Sequence, residues 1–172
     1  MRPVQVSSTR PPDGCQVAEV RALDERDVLL LRRMLEFFSK VLGRRDAPAA
    51  LAPDDGYLLG LLEDPGFIAI AAMDGERLVG GLAGYVLRRF DQVRSEFHLH
   101  DLGVVPDCRR QGIASALIEA LQELAAARGI DLIIVEATRS DRPAVALYEK
   151  FGRRHEVFHF DIRPFTLRIA QG

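Results

Sequence analysis

The stretch DLGVVPDCRRQGIASALIEAL, residues 101 to 121, holds residue types that can handle an anion. A hydrophobic run ends at Pro106, passes Arg109, Arg110, Gln111 and Gly112, and continues without pause as a helical pattern. Such a turn leaves the free N–H groups of a helix start beside two guanidinium groups, and the aligned peptide dipoles favour phosphate there. Gly112 permits close approach of the backbone to a ligand. On Arg109 to Ala114 alone, a solvated basic turn fits as well as a phosphate site. Just upstream, Glu96, His98, His100 and Asp101 bring acid–base groups together. A carboxylate can draw in a cationic amine and relay its proton away, and a histidine titrates near neutrality. By strand alternation His98 and His100 share a face, where they line a cleft; two histidines on one strand do not complete a metal's coordination sphere, so no metal is expected.

The elements that must position these groups are legible as strands interleaved with helices. VAEVRAL (17 to 23) reads as a first strand. Asp24 then caps a helix whose apolar positions Leu31, Leu35, Phe38 and Leu42 recur on one face until Gly43 stops it. A polar connection (44 to 55) leads to a short helix around YLLGLLE (57 to 63), with Asp54 as its N-cap. FIAIAAM (67 to 73), the Asp74-Gly75 pair and RLVGGLAGYVL (77 to 87) form a hairpin signal, so the middle of the chain is antiparallel. SEFHLHDLGVV (95 to 105) makes a long strand beside it. Ile113, Leu117, Leu121 and Leu124 then mark a helix closed by Gly129. DLIIVEAT (131 to 138) suits a buried strand running parallel to its predecessor. RPAVALYEKFG (142 to 152) is a short helix and EVFHFDI (156 to 162) a last strand.

Composition excludes several classes. With 172 residues and 48% hydrophobic content the chain can bury one sizeable core. We therefore expect one domain over residues 16–172 behind a flexible tail at 1–15. A net charge of −2 and a pI near 6.1 argue against nucleic acid as a partner. No apolar run has the length of a membrane span, and the N-terminus lacks a secretory apolar core. Cys15 and Cys108 are isolated thiols without CxxC spacing, which suggests neither zinc nor a disulfide framework and favours a cytoplasmic protein, with Cys108 a surface residue.

RRQGIA after such a strand resembles the pyrophosphate-binding signature of the Gcn5-related N-acetyltransferases (GNAT), and the order of elements from residue 17 onward is similar to theirs. DPGFIAIAA (64 to 72), RSEFHLHDLGV (94 to 104) and DRPAVALYEKFG with VFHFDI (141 to 162) narrow the resemblance to the type I aminoglycoside 3-N-acetyltransferases. The resemblance implies an α/β (α+β) fold with a mixed, mostly antiparallel central sheet flanked by helices. It also implies acetyl-coenzyme A as co-substrate, an aminoglycoside of the gentamicin type as acceptor, direct transfer in a ternary complex, and frequent homodimers. It places the pantetheine arm along Leu102, Gly103 and Val104 and the pyrophosphate on Arg109, Arg110, Gln111, Gly112, Ile113 and Ala114. Gln111 and Ala114 depart from the commonest signature without removing an N–H donor. Asp101 matches the family's aspartate before the coenzyme-binding segment and is the first choice as general base. Glu96 is its main rival and His98 the next, and an ordinary polar residue at a strand bulge is the alternative for Asp101. Tyr148 falls where many such enzymes place a phenol near the departing sulfur, although a packed tyrosine on its helix fits equally. Asp55, Tyr57, Glu96, His98, His100 and Asp161 would line an acidic acceptor cleft. Within the fold, the rival acceptors are a polyamine or a protein amine; a non-catalytic acetyl-coenzyme A-binding domain is the rival outside enzymes.

Overall fold

The first strand, β1 (Glu19–Ala22), is followed by a 3-10 turn at Glu25–Asp27 and by helix α1 (Val28–Leu42) in a computed structural model that describes Cys15, residues 19–43 and residues 52–162. Apart from Cys15, the expected tail and most of the polar connection, residues 44–51, lie outside the described residues. Asp24 and Asp27 form a reciprocal cap: Arg26 N–H donates to Asp24 Oδ1 at 3.0 Å and Asp24 N–H donates to Asp27 Oδ2 at 3.0 Å. Arg21 adds a two-pronged pair to Asp27 at 2.6 and 2.7 Å, tying β1 to the helix entry. Gly43, at φ 63°, closes α1 as its position in the sequence implies. The buried stripe differs from the expected one. Leu31, Met34, Phe37 and Phe38 are buried, whereas Leu35 and Leu42 are 40% and 38% exposed. The buried arc is centred near Met34, and at 100° per residue Leu35 and Leu42 fall at its margin.

Helix α2 (Asp55–Glu63) begins at Asp54, whose side chain accepts from Tyr57 N–H at 2.8 Å. A cap of this kind contributes about 1 kcal/mol. Leu58 anchors the helix in the same apolar cluster as α1. The hairpin follows as β2 (Phe67–Asp74) and β3 (Arg77–Arg88), turning at Asp74 and Gly75. Strand β4 (Ser95–Val104) pairs antiparallel with β3, helix α3 (Ile113–Ala127) crosses over, and β5 (Leu132–Val135) returns parallel to β4. The sheet order is β1-β2-β3-β4-β5.

The two helical layers cover opposite faces of this sheet. A Cβ on Gly81 would lie 2.9 Å from Met34 on α1, while one on its neighbour Gly80 would lie 2.9 Å from Ile113 on α3. That double cover is why β2 is buried along nearly its whole length. On α3, Ile113, Leu117, Leu121 and Leu124 are all buried, as their spacing implies. None of the described helices is long and apolar enough to cross a membrane.

The chain divides after Thr138 into two compact units. The second contains helix α4 (Arg142–Tyr148), capped by Asp141, which accepts from Ala144 N–H at 3.1 Å. Beyond it, residues 153–162 form neither helix nor strand. This corrects the expected last strand over 156–162: its alternating pattern is real, but a strand requires a neighbouring ladder, and none among the described residues supplies one.

Candidate active site

One irregularity in β4 shapes the site. Leu99 pairs with Gly84 and Asp101 with Ala83, so His100 is an extra residue in the ladder. The chains approach so closely here that a Cβ on Gly84 would fall 2.1 Å from the His98 carbonyl oxygen. Only glycine fits. The bulge changes which side chains share a face. Leu99 and Asp101 oppose successive residues of β3 and point to opposite sides, which places Asp101 with His98 on the α1 face. Gly103, two residues on, confirms that face, since a Cβ there would meet Val41 and Phe37 of α1.

Simple alternation of His98 and His100 is therefore broken, yet both remain near Tyr85. Tyr85 is the register partner of His98, and its ring stands edge-on to His100 at 5.5 Å. Burial pushes the Tyr85 phenol up, and Tyr57, Asp101 and Asp64 reinforce the rise. Tyr85, half-wrapped and also 5.4 Å from Phe67, gathers Tyr57, Asp64, His98, His100 and Asp101 around it. Sequence reasoning missed Tyr85 and Asp64. The available signal was a polar-tipped aromatic in the hairpin strand, but its relation to Asp101 depends on the bulge.

Other expected cleft residues have different surroundings. Glu96 is buried and accepts from Arg94 Nη2 at 3.1 Å and Arg89 Nη1 at 3.4 Å. Two guanidinium groups thus neutralise it. Asp55 is exposed and paired with Arg32, whose Nε donates to its Oδ1 at 2.9 Å. In the C-terminal unit, Asp161 is paired with His159 at 3.2 Å, and Tyr148 is half-buried with its phenol pushed up by that burial.

Past the bulge, β4 has a free edge. The ladder to β5 ends at Leu99 and Val135, so residues 100–104 pair with β3 alone among the described residues. Val105 N–H donates to the Val79 carbonyl at 3.0 Å on the β3 side. By alternation, the N–H groups of Leu102 and Val104 face the free edge, and that of Gly103 faces β3. This edge can accept an extended amide-bearing ligand as an added strand.

The edge leads into the basic turn. After a 3-10 turn at Pro106–Cys108, Arg110 takes φ 64° and Gly112 φ 85°, and α3 begins with no side chain capping it. Ala116 N–H is the first to reach back, to the Gly112 carbonyl at 2.9 Å. The N–H groups of Ile113, Ala114 and Ser115 precede the helical ladder and suit an anion. Arg109 folds back so that Nε donates to the Val104 carbonyl at 3.1 Å, while Arg110 is exposed. Gln111 braces the turn by donating to the Asp107 carbonyl at 3.2 Å.

The cysteines correct the sequence reading. Cys108 is fully buried and joined in a disulfide to Cys15, with 5.4 Å between their Cα atoms. Cys15 N–H also donates to Gln111 Oε1 at 2.9 Å, which holds that residue against the turn before α3. Ninety-three positions separate the two cysteines, so no local spacing announced the pair. Asp107 lies within 4.8 Å of both sulfurs, which the bond makes unavailable as thiolate ligands.

These features have counterparts in known proteins. The acetyltransferase (GNAT) family matches residues 31–152. An aminoglycoside acetyltransferase from an uncultured soil metagenomic sample is 44% identical, with a TM-score of 0.80 over 85% of this chain and 97% of that one. A second soil metagenomic aminoglycoside acetyltransferase, solved in complex with sisomicin, is 25% identical with a TM-score of 0.78, covering 85% and 95%. The mycothiol acetyltransferase of Clavibacter michiganensis is 29% identical over 83% of this chain and 56% of that protein, so the chain spans little more than half of that relative. The ribosomal protein bS18-alanine N-acetyltransferase of Escherichia coli is 30% identical over 56% of this chain and 68% of that protein. With its mixed five-stranded sheet, flanking helices and uncapped helix start after the fourth strand, the chain belongs to the GNAT family of acetyltransferases, which use acetyl-coenzyme A.

Proposed function

We propose that the protein is an aminoglycoside 3-N-acetyltransferase, moving acetyl from acetyl-coenzyme A to the 3-amino group of a gentamicin-type 2-deoxystreptamine. The observation that carries this reading is the bulge at His100, which turns Asp101 into the Tyr85, His98 and His100 cluster at the start of the free β4 edge. The 44% identical aminoglycoside acetyltransferase and the sisomicin complex of the second support an aminoglycoside as acceptor.

The residues divide the work. The N–H groups of Leu102 and Val104 pair with the pantetheine amides, and those of Ile113 and Ala114, with the Arg110 guanidinium, hold the pyrophosphate. Gly103 keeps that segment close to α1, and Arg109, Gln111 and Gly112 set the shape of the turn. Asp101 draws in the cationic amine and takes its proton, leaving a neutral nucleophile. Negative charge then develops on the thioester oxygen, where β4 N–H groups stabilise it. Tyr148, matched to the phenol the family resemblance implies, donates to the departing sulfur. His98, His100, Tyr57 and Tyr85 line the acceptor side, Asp64 adds negative charge there, and Asp55 and Asp161 contribute to the steering field. Use of acetyl-coenzyme A supports a cytoplasmic location, while the Cys15–Cys108 bond removes the argument made from isolated thiols.

Product analysis tests the assignment. Incubation with acetyl-coenzyme A and gentamicin should yield a mono-acetylated product with NMR shifts confined to the 3-amino position. Acetylation of another amine would overturn the regiochemistry. A second reading, transfer to the α-amine of a protein, draws on the Escherichia coli relative; turnover on an alanine-terminated peptide but not on gentamicin would favour it.

A further inference from the structure

The chain has two cysteines, and the bond between them fastens a distant residue to the turn that joins β4 to α3. Cys108 ends the 3-10 turn begun by Pro106, is fully buried, and donates its N–H to the Val105 carbonyl at 3.0 Å. Cys15 is only partly buried. Held there by the sulfur bridge, Cys15 donates its own N–H to Gln111 Oε1 at 2.9 Å, while Gln111 Nε2 donates to the Asp107 carbonyl at 3.2 Å. Both ends of the Gln111 amide are thus engaged, one by the turn itself and one by a residue 96 positions away. The next residue, Gly112, sits at φ 85° and leads into a helix start with no side-chain cap. A bond across 93 positions stabilises any fold by restricting the unfolded chain. The hydrogen bond to Gln111 adds something local: it carries the effect of the bridge into the turn.

We propose that the Cys15–Cys108 bond is a redox switch on affinity for acetyl-coenzyme A. Closed, it steadies the N–H row of Ile113 and Ala114 through Gln111; open, it releases Cys15, and the turn loosens. This rests on the reading that the turn holds the pyrophosphate. Donors already in place hold an anion more tightly than donors that must first be ordered, so the open form binds more weakly. A low-molecular-weight thiol supplies the two electrons. Its thiolate attacks the sulfur of Cys15, the more accessible partner; the S–S bond breaks, and Cys108 leaves as a thiolate and takes up a proton. A second thiol then displaces the first from Cys15, leaving two protein thiols and one small-molecule disulfide. In a reducing compartment a bond of this kind is transient and senses redox state.

Titration calorimetry of the full chain with acetyl-coenzyme A tests this, comparing oxidised protein with protein reduced by dithiothreitol and desalted under nitrogen. Hydrogen exchange of the 109–116 amides is read on the same two samples. Alkylation and mass spectrometry should find no free thiol in the first and both cysteines free in the second. Reduction should raise Kd about three- to tenfold, the size of one positioning hydrogen bond, and speed exchange of those amides. Re-oxidation should restore both. Cys15→Ser should match the reduced wild type and ignore dithiothreitol. In Gln111→Leu the two redox forms should bind within about twofold of each other, because the link between bridge and turn is gone. In turnover, KM for acetyl-coenzyme A should follow Kd, while kcat stays within about twofold. A Kd unchanged by reduction overturns the proposal even if the melting temperature falls, since a bond that only restricts the unfolded chain lowers the melting temperature alone. So does a Kd response that survives Gln111→Leu, or an oxidised sample with both thiols free. Faster exchange with an unchanged Kd would place the failure in the pyrophosphate reading, and unchanged exchange would place it in the switch.

Discussion

The two halves of β4 share one strand but face opposite demands. From Glu96 to Leu99 it lies between β3 and β5, with its buried carboxylate held by Arg89 and Arg94. From Asp101 to Val104 it has lost the β5 partner, and its carboxylate acts electrostatically on Tyr85. Between them stands one extra residue, His100. The comparison teaches that two acidic groups five positions apart, interchangeable by composition, are assigned different work by pairing. Glu96 balances cations where the ladder to β5 is closed, and Asp101 stands where that ladder has ended.

The sharpest way to break the comparison is to neutralise one carboxylate at a time. Asp101→Asn should lower kcat/KM by about 10²–10⁴-fold, the usual contribution of a positioned acid or base. Glu96→Gln should leave kcat/KM within about tenfold, with a lower melting temperature because Arg89 and Arg94 lose a buried partner. If Glu96→Gln abolished turnover while Asp101→Asn did not, the roles would be reversed.

Filling the bulge attacks the division itself. Gly84→Val places side-chain atoms where even a Cβ would lie 2.1 Å from a carbonyl oxygen, so the strands must separate. A loss of about 2–3 kcal/mol in denaturant unfolding is expected, with activity falling further than stability predicts. At the far end of the open half, Gly112→Ala meets no steric obstacle but must hold φ 85°. The cost of about 1–2 kcal/mol for that conformation should raise KM for acetyl-coenzyme A roughly tenfold and change kcat little.

The smallest effect is remote from β4 and serves as a control. Asp27 is held below the ordinary carboxylate value of 3.8, first by its hydrogen bonds with Arg21. A carboxyl lowered on folding stabilises the protein above its unfolded value and loses that contribution as pH falls through the folded one. Asp27→Asn should therefore cost about 1 kcal/mol at pH 7, less as the pH drops below about 3.8, and leave KM for both substrates unchanged.

Local rules made much of the scaffold legible. Asp74-Gly75 announced the hairpin, Asp24 and Asp54 announced their caps, and the spacing of Ile113, Leu117, Leu121 and Leu124 announced α3. The uncapped turn before that helix was readable because glycine and arginine sit directly ahead of it. What was not readable depends on contacts between distant segments. The bulge at His100 is marked only by Gly84, one of three glycines in β3, so its position and the link from Tyr85 to Asp101 could not be read. The Cys15–Cys108 bond closes across 93 positions. Leu35 and Leu42 fit the helical period but lose the sheet face to Met34 and Phe37. EVFHFDI has the alternation of a strand, and only the ladder decides whether it becomes one.

The most direct test of the central claim is thiol release from acetyl-coenzyme A by wild type and Asp101→Asn, with gentamicin, spermidine and an alanine-terminated peptide as parallel acceptors. The account predicts rapid turnover on gentamicin that collapses in Asp101→Asn, with little turnover on the other two. Turnover confined to spermidine or the peptide, or full gentamicin activity in Asp101→Asn, would contradict it.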